Sequence, residues 1–349
     1  MTDSSKQRVL VTGNLGFIGS WLSLKYLRSG FELYGFDNEN SFGERLFKRA
    51  KLERHFKKQF LADVSDLESL QQAVKEIEPD LIIHLAGQAI VPRAFREPFY
   101  TYQTNTLGTL AVLESARTSP SVRSVICITS DKVYENMEQI WPYRETDQLG
   151  GKDIYSVSKS SSELLVGCYA KTHLADCDVN VQSVRLGNVV GGGDWSVDRL
   201  IPDLMRSIET DTPFRVRYAD ATRPFQHVLD VAEGIFQISR ASLERTVPAG
   251  EGWNLGPRGN TYARVRDVIT ICRGIWPTLV IQEQENRVRE DLFLSVDVTK
   301  LSRHFEEPVY TSLEALEQTF NWYARYLNGD LLEELIQNDF EAFESANSK

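Results

Sequence analysis

The chain has 349 residues, with 39 Lys and Arg against 49 Asp and Glu and a formal net charge of −10. With 42% hydrophobic and 25% charged residues, it has the make-up of a folded globular protein, which excludes collagen-like, coiled-coil and largely disordered chains. The acidic balance excludes non-specific nucleic-acid binding, which needs a basic surface.

In chain order, short apolar runs ending in Gly, Asp or Ser alternate with helical patterns. RVLVTG at 8–13 reads as a strand and 17–29 as a helix, joined by Gly13, Gly16 and Gly19. The first glycine of such a turn permits the tight bend, the second lets a pyrophosphate approach the backbone, and the third lets helix and strand pack closely. The helix N-terminus then offers unpaired N–H groups to phosphate. Asn14, Phe17 and Ile18 complete this expected cofactor turn. The second strand, 31–37, ends in Asp37, where the ribose-binding acid belongs, and Asn38 in place of a basic residue points to NAD over NADP.

Runs at 58–66 and 80–87 read as the third and fourth strands, with a helix at 66–77 between them. A helix at 98–118, the strand SVICITS at 124–130, a helix at 155–174 and a strand at 180–190 follow. Nearly continuous β-branched and aliphatic runs are expected of strands covered on both faces. Their alternation with helices predicts an α/β protein built on a Rossmann-like, doubly wound parallel sheet. From VVGGGDW onward the pattern turns irregular. Residues 1–190 are therefore expected to form an NAD-binding domain, joined by returns from the C-terminal half. Residues 191–349 are expected to form mainly a smaller substrate-binding lobe. Its helical tail carries Leu331, Leu332, Leu335, Ile336, Phe340 and Phe343 on one face.

Two segments carry candidate chemistry. Tyr155 and Lys159 stand four apart in YSVSK, so they share a helical face. A nearby ammonium favours the phenolate and suits Tyr155 to act as a base. Ser130-Asp131-Lys132 closes the fifth strand, and open α/β sheets bind ligands outside the carboxyl ends of their strands. Ser130 is expected to hydrogen-bond a sugar hydroxyl beside Tyr155, and Asp131 and Lys132 supply an adjacent acid and base. Alone, Tyr-x-x-x-Lys is an ordinary coincidence among 13 tyrosines, and the tripeptide alone reads equally well as a solvated turn. The glycine turn upstream gives them weight.

Cys127, Cys168, Cys177 and Cys272 are too few and too scattered for a disulfide framework. No C-x-x-C or H-x-x-x-H spacing occurs, so no metal site is expected. The start lacks a secretory pattern, and no stretch approaches the ~20 apolar residues of a membrane span. A cytoplasmic protein with no membrane and no nucleic-acid partner is the expectation.

The Gly-x-x-Gly-x-x-Gly spacing, followed by Asp63-Val64, His84-Leu85-Ala86-Gly87 and Asn105 in TNTLGT, resembles the extended short-chain dehydrogenase/reductase family. The resemblance implies that Asp63, with Val64, contacts adenine, that Leu85, Ala86 and Gly87 line the cofactor, and that Asn105 stands beside them. TSDKVYEN, YSVSK, RLGNVVGGGDWSVDRLIPD and RPFQHVLD narrow the likeness to the CDP-glucose 4,6-dehydratases. It covers most of the chain to about residue 230, then runs more loosely to WYARYL near 321–327.

That likeness implies a redox-neutral reaction. Tyr155 takes the proton of the sugar 4-hydroxyl while NAD accepts hydride from C4, and Lys159 holds the cofactor ribose. Lys132 removes the C5 proton, Asp131 assists loss of the 6-hydroxyl as water, and hydride returns to C6. A coupled acid–base pair need not have separable roles. Asn188, Arg199 and Arg223 match positions that hold the pyrophosphate and sugar, a task that suits arginine. Gln88 is implied at the hexose, and Trp195 and Arg217 as further substrate contacts. Related dehydratases carry Thr-Asp-Glu at the tripeptide; a lysine there marks the CDP-glucose branch, some other dehydratases also carry an Asp-Lys pair, and the GGGDW-x-x-DRLIPD run is the more selective signal. Two departures stand out: the turn reads GNLGFIGSW where that family has G-H-T-G-F-K-G-S-W, and Arg289-Glu290-Asp291 replaces a His-Glu-Ala sequence.

The expected partners are a nucleotide sugar, with CDP-glucose ahead of GDP-, UDP- or dTDP-linked hexoses, and a second copy forming a homodimer; helices 98–118 and 155–174 suit that pairing, as in the family's dimers, and suit internal packing equally well. A nucleotide-sugar 4-epimerase would share the Tyr155/Lys159 pair but has no need of Asp131-Lys132. An NAD-binding sensor needs none of the acid–base set.

Overall fold

The computed structural model describes residues 6–38, 46–216, 218–283 and 293–347. The first half runs β1 (Arg8–Thr12), α1 (Phe17–Arg28), β2 (Glu32–Asp37), α2 (Leu46–Arg49), β3 (Phe56–Leu61), α3 (Leu67–Ile77) and β4 (Leu81–His84). Next come α4 (Val91–Arg96), α5 (Pro98–Tyr102), α6 (Gly108–Arg117), β5 (Ser124–Ser130), α7 (Ile154–Lys171) and β6 (Asn180–Leu186). The second half holds β7 (Asn188–Val190), α8 (Leu200–Glu209), β8 (Phe214–Val216), β9 (Thr222–Arg223), β10 (Phe225–His227), α9 (Val228–Leu243) and β11 (Gly252–Leu255). It ends with β12 (Ala263–Arg264), α10 (Val265–Ile275), β13 (Ile281–Glu283), α11 (Thr299–His304), α12 (Ser312–Leu327) and α13 (Leu332–Asn347).

Period-two alternation along the strands sorts side chains into two cores. Val9 and Val11 of β1, and Ile126 and Ile128 of β5, join the helices α1, α9, α12 and α13 on one face. Leu10, Val125 and Cys127 join α3, α6 and α7 on the other. Both faces are covered, so the sheet is parallel. Among the described residues it has seven strands in the order β11-β6-β5-β4-β1-β2-β3. The order reverses between β1 and β4, and the crevice outside their carboxyl ends is where such sheets receive ligands. Strand β11 comes from the C-terminal half and pairs with β6.

Three local departures from the sequence pattern matter. The helical stretch 98–118 is broken by a π-turn at Gln103–Leu107, an irregularity that re-aims side chains and is frequent at functional sites. The run 180–190 splits at Gly187 into β6, in the sheet, and β7, which pairs with β10. A Cβ at Gly187 would lie 3.0 Å from Pro224, so the strand bends where that residue crosses. The third strand ends at Leu61, and residues 62–66 form a turn. The tail helix α13 lies against the N-terminal half: Phe340 meets Trp21 of α1 with ring centroids 5.7 Å apart, and Leu331 stays exposed. Among the described residues no helix is long and apolar enough to cross a membrane.

Candidate active site

The carboxyl ends of the strands open on a cleft of about 580 Å³, lined by residues from Gly13 to Val265. At its β1 end the backbone is shaped for close approach. Gly13 has φ of +76°, and a Cβ there would lie 2.6 Å from the Ala86 nitrogen. A Cβ on Gly19 would come within 2.3 Å of the Gly13 carbonyl, whereas one on Gly16 would meet only that carbonyl, at 3.2 Å. Helix α1 starts here with no side-chain cap, so its first N–H groups face the cleft with Phe17 and Ile18.

Asp37, at the end of β2, is buried, lines the cleft and accepts the Leu15 N–H at 3.0 Å. Beside it Asn38 Nδ2 donates to Asp63 Oδ2 at 3.2 Å, while Asp63 Oδ1 accepts from Ser65 N and Oγ at 2.9 and 2.7 Å. Val64 lines the cleft; Asp63 stands behind it. Asn14 also stands behind, its amide exchanging hydrogen bonds with Gln59 at 2.7 and 3.3 Å. Leu85, Ala86 and Gly87 form the opposite wall.

Asn105 sits in the π-turn, its Oδ1 accepting the Gln88 N–H at 2.8 Å and its Nδ2 donating to the Gln88 carbonyl and to Ser158 Oγ at 3.1 and 2.9 Å. It therefore clamps the loop after β4 to α7. Gln88 lines the cleft, but its side-chain nitrogen donates to Ile90 O and Thr101 Oγ1, and its oxygen accepts from Ile90 N. The amide braces its own loop. His84 is a core histidine: it bridges Thr12 and Thr109, and burial lowers its pKa to about 3.

Tyr155 and Lys159 rise from the first turns of α7, which Asp153 caps by accepting the Ser156 N–H at 3.0 Å. Burial pushes the Tyr155 phenol up to about 12; the Ser130 hydroxyl pulls it down and the Asp131 charge pushes it up. Burial lowers Lys159 to about 8, and its Nζ donates to the Ile128 carbonyl at 3.1 Å. Ser130 Oγ donates to Asp131 Oδ1 at 3.0 Å and accepts the Lys132 N–H at 3.2 Å. Asp131 is 3% exposed. Burial raises its pKa against the pull of Lys132, and its Oδ2 has no hydrogen-bond partner among the described residues. Burial of this kind favours the protonated form of the carboxyl.

The far end of the cleft is cationic. Arg199 occupies the N-cap position of α8, 3.7 Å from Asp194 Oδ2. Arg223 is buried on β9, its Nη1 donating to the Thr222 carbonyl at 2.8 Å. Asn188 is exposed at the start of β7, and Trp195 packs under Arg49, 4.2 Å from the guanidinium to the ring centroid. A diphosphate suits guanidinium groups beside an open helix N-terminus. Arg217 and Arg289-Glu290-Asp291 lie outside the described residues.

Dinucleotide geometry fits the β1 end on two counts: the glycine cradle has room only without side chains, and the buried Thr104 hydroxyl on the cleft wall has no partner among the described residues. Sequence reasoning passed over Thr104 because the helical pattern gave no sign of the π-turn that aims it inward. It also passed over Arg93, which lines the cleft, stacks 4.6 Å from Tyr100 and pairs with Glu97 at 2.8 Å. Glu163 was missed too, although Tyr155, Lys159 and Glu163 fall at helical spacing.

Comparison with known proteins agrees in kind. The model of the NAD dependent epimerase/dehydratase family matches residues 9–256. The CDP-glucose 4,6-dehydratase of Salmonella typhimurium is 32% identical over 332 residues, covering 93% of this chain and 92% of that protein. The UDP-glucose 4-epimerase of Erwinia amylovora is 28% identical, over 92% of this chain and 99% of that one. Among solved structures, the dTDP-glucose 4,6-dehydratase DesIV of Streptomyces venezuelae, with NAD and TYD bound, superposes with a TM-score of 0.80 at 23% identity, covering 92% and 98% of the two chains. At that identity the likeness speaks for the fold.

Proposed function

Since the chain belongs to the NAD dependent epimerase/dehydratase family, we propose that it is a nucleotide-sugar 4,6-dehydratase converting CDP-glucose to CDP-4-keto-6-deoxyglucose. The observation that carries this reading is the pairing of a buried Asp131, one carboxylate oxygen unpartnered among the described residues, with Lys132 on the cleft wall that Tyr155 also lines. Oxidation at C4 alone requires only the tyrosine and its lysine. The similarity to a CDP-glucose 4,6-dehydratase over nearly the whole chain supports the base and sugar named.

NAD would be held by the glycine turn, Asp37, Val64, Leu85–Gly87, Thr104 and Lys159, and would supply a reversible hydride acceptor. Tyr155 takes the proton of the sugar 4-hydroxyl, with Ser130 orienting that hydroxyl and Lys159 favouring the phenolate. The 4-ketone makes the C5 proton acidic. Lys132 removes it, and Asp131 gives its proton to the departing 6-hydroxyl, which leaves as water. Lys132 then returns its proton to C5 while C6 takes up the hydride that bound reduced cofactor would supply, to give the 6-deoxy product. Arg199, Arg223 and the N-terminus of α8 hold the diphosphate, with Asn188 and Trp195 at the same end. In this division residues 1–190, with β11 and the helices α9, α12 and α13 packed on the sheet, carry the cofactor, and the segments of residues 191–265 that line the cleft receive the nucleotide sugar.

A 4-epimerase is the second reading, favoured by the similarity to a UDP-glucose 4-epimerase. We also propose a cytoplasmic homodimer. Phe99, Leu107 and Leu164 support it, for they stay exposed on helices that pack on one another.

The test is to incubate the protein with C4-deuterated CDP-glucose and its UDP, GDP and dTDP counterparts. The dehydratase reading expects a 4-keto product from CDP-glucose with the label at C6. A 4-epimer with no water lost would replace it by the epimerase reading, and turnover confined to another base would overturn the CDP assignment.

A further inference from the structure

One buried ion pair grips the reactive tripeptide at both ends. Tyr155, Lys159 and Glu163 stand on one face of α7, and all three are buried. Glu163 reaches under β5. Its Oε1 accepts from Thr129 Oγ1 at 2.5 Å, and its Oε2 accepts from Ser183 Oγ at 2.9 Å and from Arg185 Nε and Nη2 at 2.9 and 2.6 Å. Thr129 immediately precedes Ser130. From β6, Arg185 sends Nη1 to Tyr134 Oη at 2.8 Å and to the Glu145 carbonyl at 3.0 Å. Tyr134, two residues past Lys132, donates in turn to Asn254 Oδ1 at 2.6 Å. Among the described residues lining the cleft, none is Glu163, Arg185 or Tyr134.

Placing two charges in a core costs desolvation that only full hydrogen bonding offsets, and apolar residues would fill the space without that cost. What the pair adds is direction. Its hydrogen bonds fix Thr129 on one side of Ser130-Asp131-Lys132 and Tyr134 on the other, and both are referred to the helix that carries Tyr155. Tyr155 and Lys159 do not depend on Tyr134: α7 has its own cap in Asp153, and Lys159 is tied to Ile128. Asp131 and Lys132 do: the short 3-10 turn Asp131–Val133 is also held by the Gly150 N–H on the Val133 carbonyl at 2.9 Å, by the Glu135 N–H on the Gln148 carbonyl at 3.0 Å and by Tyr134 stacked on Tyr143, but among the described residues it is the Tyr134 hydroxyl that ties it to the ion pair.

We propose that Glu163, Arg185 and Tyr134 are positioning residues that hold Asp131 and Lys132 against Tyr155, and that they serve the elimination step more than the oxidation at C4. The second half of this statement rests on the dehydratase reading; the first does not.

The experiment uses the NAD-loaded protein and the variants Tyr134→Phe, Glu163→Gln and Arg185→Lys, with two readouts. Amide hydrogen exchange without substrate is expected to rise about fivefold or more at residues 131–135 in Tyr134→Phe, and to stay unchanged along 155–171. With CDP-glucose, product formation is expected to slow about tenfold to hundredfold, as for a misplacement of about 1 Å. KM and the rate of NADH appearance should stay within about twofold, so that NADH accumulates before product. Unchanged exchange at 131–135 would overturn the positioning role, and an equal fall in NADH appearance and elimination would overturn its restriction to the second step. If the wild-type protein gives no 4-keto product, the dehydratase reading falls while the exchange readout still decides the first half. Tyr134→Phe leaves the ion pair intact, so it decides the matter even if the charge variants do not fold.

Discussion

Asp131 and Lys132 are neighbours in sequence with opposite surroundings. The carboxyl is buried with one oxygen unpartnered among the described residues, while the lysine is half-exposed on the cleft wall. The proposed division of labour uses this difference: burial favours the protonated acid at Asp131, and Lys132 stands on the cleft wall, where a sugar can be reached. Asp131→Asn and Lys132→Met should each slow elimination by about a hundredfold or more while NADH still forms on mixing with CDP-glucose. Full elimination by Lys132→Met would take the base role from that residue. At this scale residues such as Gly13, Asp37, Asp131 and Tyr155, singled out from the sequence, do line the cleft, whereas Asn14 and Asp63 stand behind it, and the bonds the side chains make were not legible. Asn14 and Gln88 sit where a cofactor or sugar contact was expected, yet one amide pairs with Gln59 and the other with Ile90 and Thr101. Spacing along a chain carries no information about which way a polar group turns.

Among the elements, most strands and long helices of the first half were legible because they bury an uninterrupted or periodic apolar set; β3, with no buried residue, and the short helices α2, α4 and α5 were not of this kind. The second half was not legible, because its two-residue and three-residue strands are defined by what crosses them. The loop before α8 is the clearest case. Gly192 gives its carbonyl to Trp21 Nε1 at 2.9 Å, and a Cβ on it would lie 2.0 Å from the Trp322 ring. GGGDW and WYARYL, apart by more than a hundred residues, are thus one packing unit. Gly192→Ala should lower Tm by several degrees, as overpacking by about 1–3 kcal/mol does, and should weaken substrate binding through the displaced Asp194 and Arg199. Retention of both would show that the loop accommodates the methyl group.

The start of α9 makes a second element-level case. Asp230 is buried and accepts the Val309 and Tyr310 N–H groups at 2.6 and 3.2 Å, tying the approach of α12 to α9. Burial pushes its carboxyl up to about 7 from an ordinary 3.8, with the two backbone donors and Arg258 pulling down and Glu233 pushing up. The folded state then binds the proton more tightly than the unfolded chain. Its stabilising contribution is complete below about pH 4 and is lost as pH rises through about 7. The Asp230 contribution to Tm should fall between about pH 4 and pH 7, and Asp230→Asn should flatten the slope in that window. An unchanged slope would remove Asp230 as its cause.

For the whole molecule, the charge of −10 and the proposed polyanionic substrate are compatible because the cations are gathered locally at Arg199 and Arg223. The same local accounting applies to apolar surface. Most of the large apolar side chains lie in the two cores, but Phe99 is 79%, Leu164 64% and Leu107 46% exposed, and α5, α6 and the π-turn between them all pack against α7. A monomer rarely leaves a contiguous apolar face open to water, and a face shared between two copies is self-complementary only when the same residues meet across the axis. Leu164→Glu places two like charges near that axis when the dimer forms, and Phe99→Asp removes the largest exposed ring. Light scattering on the eluting protein should give the mass of two chains for the wild type and of one chain for the double variant. The cleft lies at the strand ends, and neither residue lines it, so NAD binding should persist in the variant. Two-chain mass in the double variant would move the interface to another face, and one-chain mass in the wild type would remove the dimer.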